Sequence, residues 1–246
     1  MRSQSIAGRK QNIPVAGIAA LDWSRIESDL DARGYAVTDR ILSPRECAAL
    51  VALYPCREKF RSRVEMGRHR YGEGDYKYFA YPLPREVAAM RTALYRKLAP
   101  IANRWGRAMR LGAEYPASLN SFLAQCHARG QTRPTPLILH YGTGGYNCLH
   151  QDLYGEIAFP LPFTCTLSER GVDFDGGDLL IVEQRPRAQS RGYAIAAGAG
   201  CGVIFPNRYR PAAGARGHYR LNVRHGVSTI THGERYALGI IFHDAK

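Results

Sequence analysis

Along the first half of the chain, apolar residues recur three and four apart, the spacing of one face of a helix. Along the second half they gather in short runs bounded by Gly, Pro and Asn, the punctuation of strands. Leu21 to Leu30 reads as a helix that Gly34 stops, and Tyr35 to Leu42 reads as a strand. Ser43-Pro44-Arg45-Glu46 sets a hydroxyl at the N-cap, a residue without an N–H at the first position and an acid at the third, so a helix starts there and runs to about Tyr54. Pro84 opens a longer helix reaching about Met109, with Val87, Met90, Leu94, Leu98 and Ile101 on one side, and Leu119 to His127 reads as another. The character changes at Pro134-Thr135-Pro136. Eight strand-like runs follow: Leu137–Tyr141, Tyr146–Leu153, Ala158–Leu167, Leu179–Val182, Tyr193–Ala196, Gly202–Phe205, Leu221–Thr229 and Tyr236–His243. Eight short strands suit a double-sheet roll. The expected fold is α+β, a C-terminal double-stranded β-helix (jelly roll) supported by N-terminal helices.

The 246 residues, 45% of them hydrophobic, suffice for one large domain with a packed core. We expect a flexible basic tail over residues 1–17 and a single domain over 18–246, in which 18–135 give helical support and a substrate cover and 136–246 give the roll. No apolar run approaches the roughly 18–20 residues that span a bilayer, and the N-terminus lacks the apolar stretch of a signal peptide, so a cytoplasmic protein with no membrane partner is expected. Six scattered cysteines without a CxxC pair read as buried free thiols. The net charge of +13 suits a nucleic-acid partner. Only five of the 34 basic residues are Lys, so an Arg-rich compositional bias accounts for the charge equally well.

Candidate chemistry begins at His150-Gln151-Asp152. Residues two apart on a strand point to one face, so His150 and Asp152 would project together and share a metal. His225, in a later strand-like run, is the third candidate. Two imidazoles and one carboxylate on one side of an ion form the donor set of a non-haem Fe(II) site with open positions. His-x-Asp alone recurs by chance, and His218, His232 and His243 are rival third ligands; they fall in a basic loop, in a turn and near the chain end. Ten residues after His225 stands Arg235, at the start of a strand on which Arg235, Ala237, Gly239 and Ile241 share one face. A guanidinium with small residues beyond it suits a carboxylate held beside the metal. A structural ion pair is the other reading of Arg235.

Together these pieces resemble the Fe(II)/2-oxoglutarate-dependent dioxygenases. The resemblance rests on His150-Gln151-Asp152, Gly176-Gly177-Asp178-Leu179, Gly202-Val203-Ile204-Phe205-Pro206, and His225 with Arg235, spread over roughly Leu137 to Ala245. It implies Fe(II) held by His150, Asp152 and His225, with 2-oxoglutarate and O₂ as co-substrates, and Arg235 on the distal carboxylate of 2-oxoglutarate. The block from Tyr141 to Gly155 resembles a narrower group, bacterial oxygenases likened to AlkB and predicted to demethylate damaged DNA bases. That resemblance implies contact between Tyr141, nine residues before His150, and 2-oxoglutarate. The chain departs from the AlkB pattern at Leu139, where an Asn is usual, and after Arg235, where the tail lacks an Asn and a second Arg.

Between Arg57 and Tyr81, Arg61, Arg63, Arg68 and Arg70 alternate with aromatics that include Tyr76 and Tyr78, and Gly67, Gly72 and Gly74 suggest mobility. Cations track phosphates and rings stack on bases, so this stretch is a candidate cover that holds DNA over the iron. A solvated hairpin with core aromatics is the alternative. A second basic area spans Arg185, Arg187 and Arg191, then Arg208, Arg210, Arg216 and Arg220. The leading expectation is oxidative demethylation of alkylated nucleobases in DNA. The alternatives are a hydroxylase of a protein side chain or small metabolite, and a non-catalytic jelly-roll binding protein.

Overall fold

A computed structural model describes residues 15–112, 114–185, 187–214 and 217–246. The expected basic tail, up to residue 14, and Arg216 lie outside the described residues. The amphipathic stretches of the N-terminal half form helices α1 (Val15–Ala20), α2 (Trp23–Arg33), α3 (Pro44–Val51), α4 (Met66–His69), α5 (Arg85–Ala108) and α6 (Leu119–Ala128). Their ends follow the sequence signals. The Ser43 side chain accepts from the Glu46 N–H while Glu46 reaches back to Ser43, a full capping box. Gly34, at φ 82°, closes α2 in the left-handed conformation that L side chains avoid.

Fifteen strands are described, and the first four are β1 (Ala36–Arg40), β2 (Phe60–Glu65), β3 (Gly72–Glu73) and β4 (Asp75–Phe79). Then come β5 (Leu137–Tyr141), β6 (Tyr146–His150), β7 (Phe163–Thr166), β8 (Phe174–Gly176), β9 (Leu179–Gln184) and β10 (Arg191–Ile195). The chain ends with β11 (Cys201–Ile204), β12 (Tyr209–Gly214), β13 (Gly217–Val227), β14 (Ile230–Gly233) and β15 (Arg235–Ile240). A seven-stranded sheet runs β1-β11-β7-β15-β5-β4-β2. A second sheet runs β10-β9-β13-β6-β3, with β12 paired to β13, and β14 pairs β8 alone. The pairs are antiparallel, and the fold is the expected jelly roll with helices.

The helices cover one side of the large sheet. Leu30, Leu50, Met90, Leu94 and Phe122 share one apolar cluster with Ile138, Phe163, Leu238 and Ile240 from its strands. Arg91, on the inward face of α5, donates to the Ile241 and Phe242 carbonyls at 3.0 and 2.9 Å and to Asp244 at 2.8 Å. This buried, fully paired guanidinium fixes the chain just beyond β15, whose other face looks toward the second sheet.

The segment from Arg57 to Tyr81, expected as a mobile cover, is an ordered part of the roll. β2 pairs β4, β4 extends the large sheet at β5, and β3 pairs β6. Its aromatics are strand formers, and Gly72 and Gly74 stand where the chain passes close to its neighbours: a Cβ on either would collide with the carbonyl oxygen of Tyr146 or His140. So the N-terminal half supplies strands as well as helical support. The expected run Ala158–Leu167 shrinks to β7, because Pro160 and Pro162 have no N–H for a ladder. Among the described residues no helix is long and apolar enough to cross a membrane. Cys47, Cys126 and Cys165 are buried, as expected, whereas Cys148 is exposed at the edge of the main cavity.

Candidate metal centre

β13 lies beside β6, and their register sets His225 directly opposite His150, with ring centroids 4.3 Å apart. Asp152 arrives differently from the sequence expectation. β6 ends at His150, so the carboxylate is not carried on a continuous strand. The neighbouring segments hold it instead. The Asn207 side chain accepts from the Asp152 N–H at 2.6 Å and donates to the Asp152 carbonyl, as a paired strand would. Gln151 donates to Asn222 Oδ1 and to the Val223 carbonyl, each at 2.8 Å, which ties the same segment to β13.

The Asp152 carboxylate then lies between the imidazoles, with Oδ1 3.4 Å from His150 Nε2 and Oδ2 3.3 Å from His225 Nε2. One ligand atom from each of the three residues falls within 4.8 Å of the others. The Cys148 carbonyl, 2.8 Å from His150 Nδ1, accepts the proton there and leaves the Nε2 lone pair facing the cluster. Burial alone would raise the Asp152 pKa, but His225 and His150 overcome it and hold the carboxyl well below its usual range. Burial lowers His225, and this outweighs the pull of Asp152. For the more open His150 the carboxylate wins over burial and the pKa rises. Two neutral-capable imidazoles around an ionised carboxylate are a donor set that fits a divalent ion with several coordination positions left open.

The three residues line one side of a cavity of about 530 Å³. Arg235, Ala237, Gly239 and Ile241 line it too, the face expected of β15, while Leu238 and Ile240 turn to the helices. Arg235 is 4% exposed, pairs with no acidic group among the described residues, and has no acceptor at Nε. Burial pulls its pKa below the ordinary guanidinium value. A buried cation without an acidic partner is costly, and a guanidinium fork suits a carboxylate. Gly177 makes room for it: at φ 63°, a Cβ there would meet Arg235 Cδ at 2.9 Å. Tyr141 pairs with Arg235 in register, its ring 5.8 Å from the guanidinium, and burial pushes its pKa up to about 12. A neutral Tyr141 hydroxyl, with Asn147 3.4 Å away, adds polar contacts to the same wall.

The other candidates separate. His140 turns away from the cavity, to Asp75 at 3.0 Å and a stack on Tyr236. His243 is buried and accepts from the Phe159 N–H, while His218 and His232 are exposed. Arg63 and Arg68 are engaged by Asp75 and Glu65, and Arg61 donates to the Pro134 carbonyl and lies over Tyr78. Three of the four cations of the basic stretch are therefore engaged, two by its own acids and one by the Pro134 carbonyl. Arg70 and Tyr76 do line the cavity, and Tyr78 is buried behind it. Tyr71, one of the interleaved aromatics of that stretch, stands at the mouth; sequence reasoning missed Leu149 and Leu153 beside it, and Tyr154 and Asn207 around Asp152. Tyr154 stands two residues after Asp152, a spacing that carries a signal; Asn207 is 55 residues away and carries none.

Residues 74–245 match the model of a family described as "Oxygenase, catalysing oxidative methylation of damaged DNA". Uncharacterized proteins from two strains of Mycobacterium tuberculosis are 53% identical over 167 residues, 68% of this chain and 72% of theirs. Among solved structures, a prolyl-4-hydroxylase from Pseudomonas putida superposes with a TM-score of 0.55 at 16% identity, covering 91% of this chain and 99% of that one. An oxidoreductase of the 2OG-Fe(II) oxygenase family from Burkholderia pseudomallei gives 0.54 at 14% identity and 91% of each chain. At such identities the likeness is one of fold.

Proposed function

Because the chain belongs to this family of oxygenases, we propose that it uses Fe(II) and 2-oxoglutarate to remove methyl groups oxidatively from alkylated nucleobases in DNA. The observation that carries the co-substrate reading is Arg235, a buried guanidinium without an acidic partner among the described residues that shares a cavity with the His150, Asp152 and His225 cluster. In this reading those three residues hold the iron and Arg235 takes the distal carboxylate of 2-oxoglutarate, with Tyr141 beside it. Bound there, iron supplies the activation of dioxygen. The overall balance is 2-oxoglutarate, O₂ and an N-methyl base giving succinate, CO₂, formaldehyde and the N–H base. The protein orients the two substrates, and the apolar walls from Leu139, Phe205 and Val227 keep water from the reacting groups.

Two features support a nucleobase as the oxidised group. Tyr71, Leu149 and Leu153 are 50%, 41% and 44% exposed, and all three line the mouth of the cavity beside Arg70. Tyr71 stacks on His69 with ring centroids 5.3 Å apart, which leaves an aromatic face open to a base turned out of its strand. The net charge of +13 attracts a polyanion. The test is formaldehyde release from methylated single-stranded DNA with Fe(II), 2-oxoglutarate and O₂. Formaldehyde that requires all three supports the reading. No formaldehyde, with a hydroxylated peptide or metabolite instead, would replace the substrate and leave the oxygenase intact.

A further inference from the structure

A carboxylate offers two oxygens, and one that serves an ion through a single oxygen needs something to occupy the other. In this protein the Tyr154 hydroxyl donates to Asp152 Oδ1 at 2.8 Å. Oδ2, on the side of His225, receives no such donor among the described residues. Tyr154 is itself confined. Tyr78 meets it edge-on, with ring centroids 6.2 Å apart, and Tyr76 meets Tyr78 edge-on at 5.3 Å. The Arg61 guanidinium lies 4.4 Å over the Tyr78 ring. The Asp152 backbone is fixed independently by Asn207, which is 2% exposed and bonds both the N–H and the carbonyl. Arg61, Tyr76 and Tyr78, from the stretch whose sequence suggested a substrate cover, therefore pack behind Tyr154.

We propose that Tyr154 and Asn207 are positioning residues that present Asp152 to the metal through Oδ2 and withhold Oδ1, setting both metal affinity and coordination number. The proposal rests on the reading that His150, Asp152 and His225 hold a divalent ion. Neither residue touches substrate; each acts through Asp152. Partners of a ligating carboxylate typically change metal affinity by roughly 10–100-fold when removed.

The test is an anaerobic titration of the full chain with Fe(II), and in parallel with Co(II), whose visible absorption reports coordination number. Tyr154→Phe keeps the ring and its packing and removes only the hydroxyl. The wild type should bind one ion, and Tyr154→Phe should bind it about tenfold or more weakly. Its Co(II) band should also change, because a carboxylate no longer held through Oδ1 meets the ion in a different geometry, which packing alone would not cause. Melting of the metal-free variant checks that it folds. If it does not, Asn207→Leu, which removes the backbone grip, should show the affinity loss in its place. A folded Tyr154→Phe protein with wild-type affinity and an unchanged Co(II) band overturns the proposal and leaves the metal reading standing. A wild type that binds no ion, or a His150→Ala variant that binds as the wild type does, overturns the metal reading and this proposal with it.

Discussion

Arg235→Met should make the ligand-free protein more stable and unable to hold 2-oxoglutarate. Arg235 is 4% exposed and has no acidic partner among the described residues, so the ligand-free fold carries a desolvated charge faced only by the Tyr141 and Phe174 rings. Replacing buried charged groups by apolar ones of similar volume stabilises by roughly 1–4 kcal/mol. In a domain of this size each kcal/mol moves Tm by about 2–4 °C. Binding changes in the opposite direction. Losing a charge-assisted partner for a buried carboxylate costs roughly 2–5 kcal/mol, which weakens 2-oxoglutarate about 30-fold to several thousand-fold. Melting curves with and without 2-oxoglutarate, in the presence of Mn(II) under nitrogen, read both effects. At about 100 times Kd the ligand should stabilise the wild type by about 2.7 kcal/mol. The variant should start at a higher Tm and keep at most about 0.9 kcal/mol of the ligand stabilisation, a third of the wild-type shift or less. A variant that melts below the wild type and keeps the full shift would refute the assignment, since Arg235 would then be a structural residue with its anion elsewhere.

His243 is buried, and burial pushes its pKa down to about 4, whereas the unfolded chain has the ordinary value near 6.5. The unfolded state therefore takes up the proton first, and stability falls as pH drops from 6.5 toward 4, by roughly 3 kcal/mol in all. Urea unfolding at pH 7 and pH 5 should show this slope, and His243→Asn should flatten it; an equal slope in the variant would place the acid sensitivity elsewhere. At the cavity mouth, Tyr71→Ala should weaken single-stranded DNA by roughly 1–3 kcal/mol without altering the salt dependence. Arg70→Ala should lower the salt slope by about 1, while neutralising Arg63 or Arg68, each already paired with an acid, should add little. Wild-type binding that ignores salt would make the +13 charge a matter of composition.

The features legible in the sequence were those set by local rules. The capping box at Ser43, the glycine stop at Gly34 and the apolar stripe of α5 depend on neighbours within one or two turns. The alternation after Arg235 sorted its cavity face from its core face, because β15 is regular. His150, Asp152 and His225 were legible as a set, but the reason assigned to Asp152 was incomplete. Its position depends on Asn207 and Tyr154, and the Asn207 contact is long-range and has no periodic signature. The stretch from Arg57 to Tyr81 misled because interleaved cations, rings and glycines describe equally a mobile cover and a tightly packed edge hairpin. Pairing of β4 with β5 decides between them, and a single sequence does not display it.

The central claim is that His150, Asp152 and His225 form an iron site served by 2-oxoglutarate. The most direct measurement is succinate formed from 2-oxoglutarate under O₂, without any prime substrate, by the purified chain and its His150→Ala variant. The wild type should produce succinate slowly and only with added Fe(II), and a variant whose melting shows it is folded should produce none above background. Equal succinate from both proteins, or iron-independent production by the wild type, would contradict it.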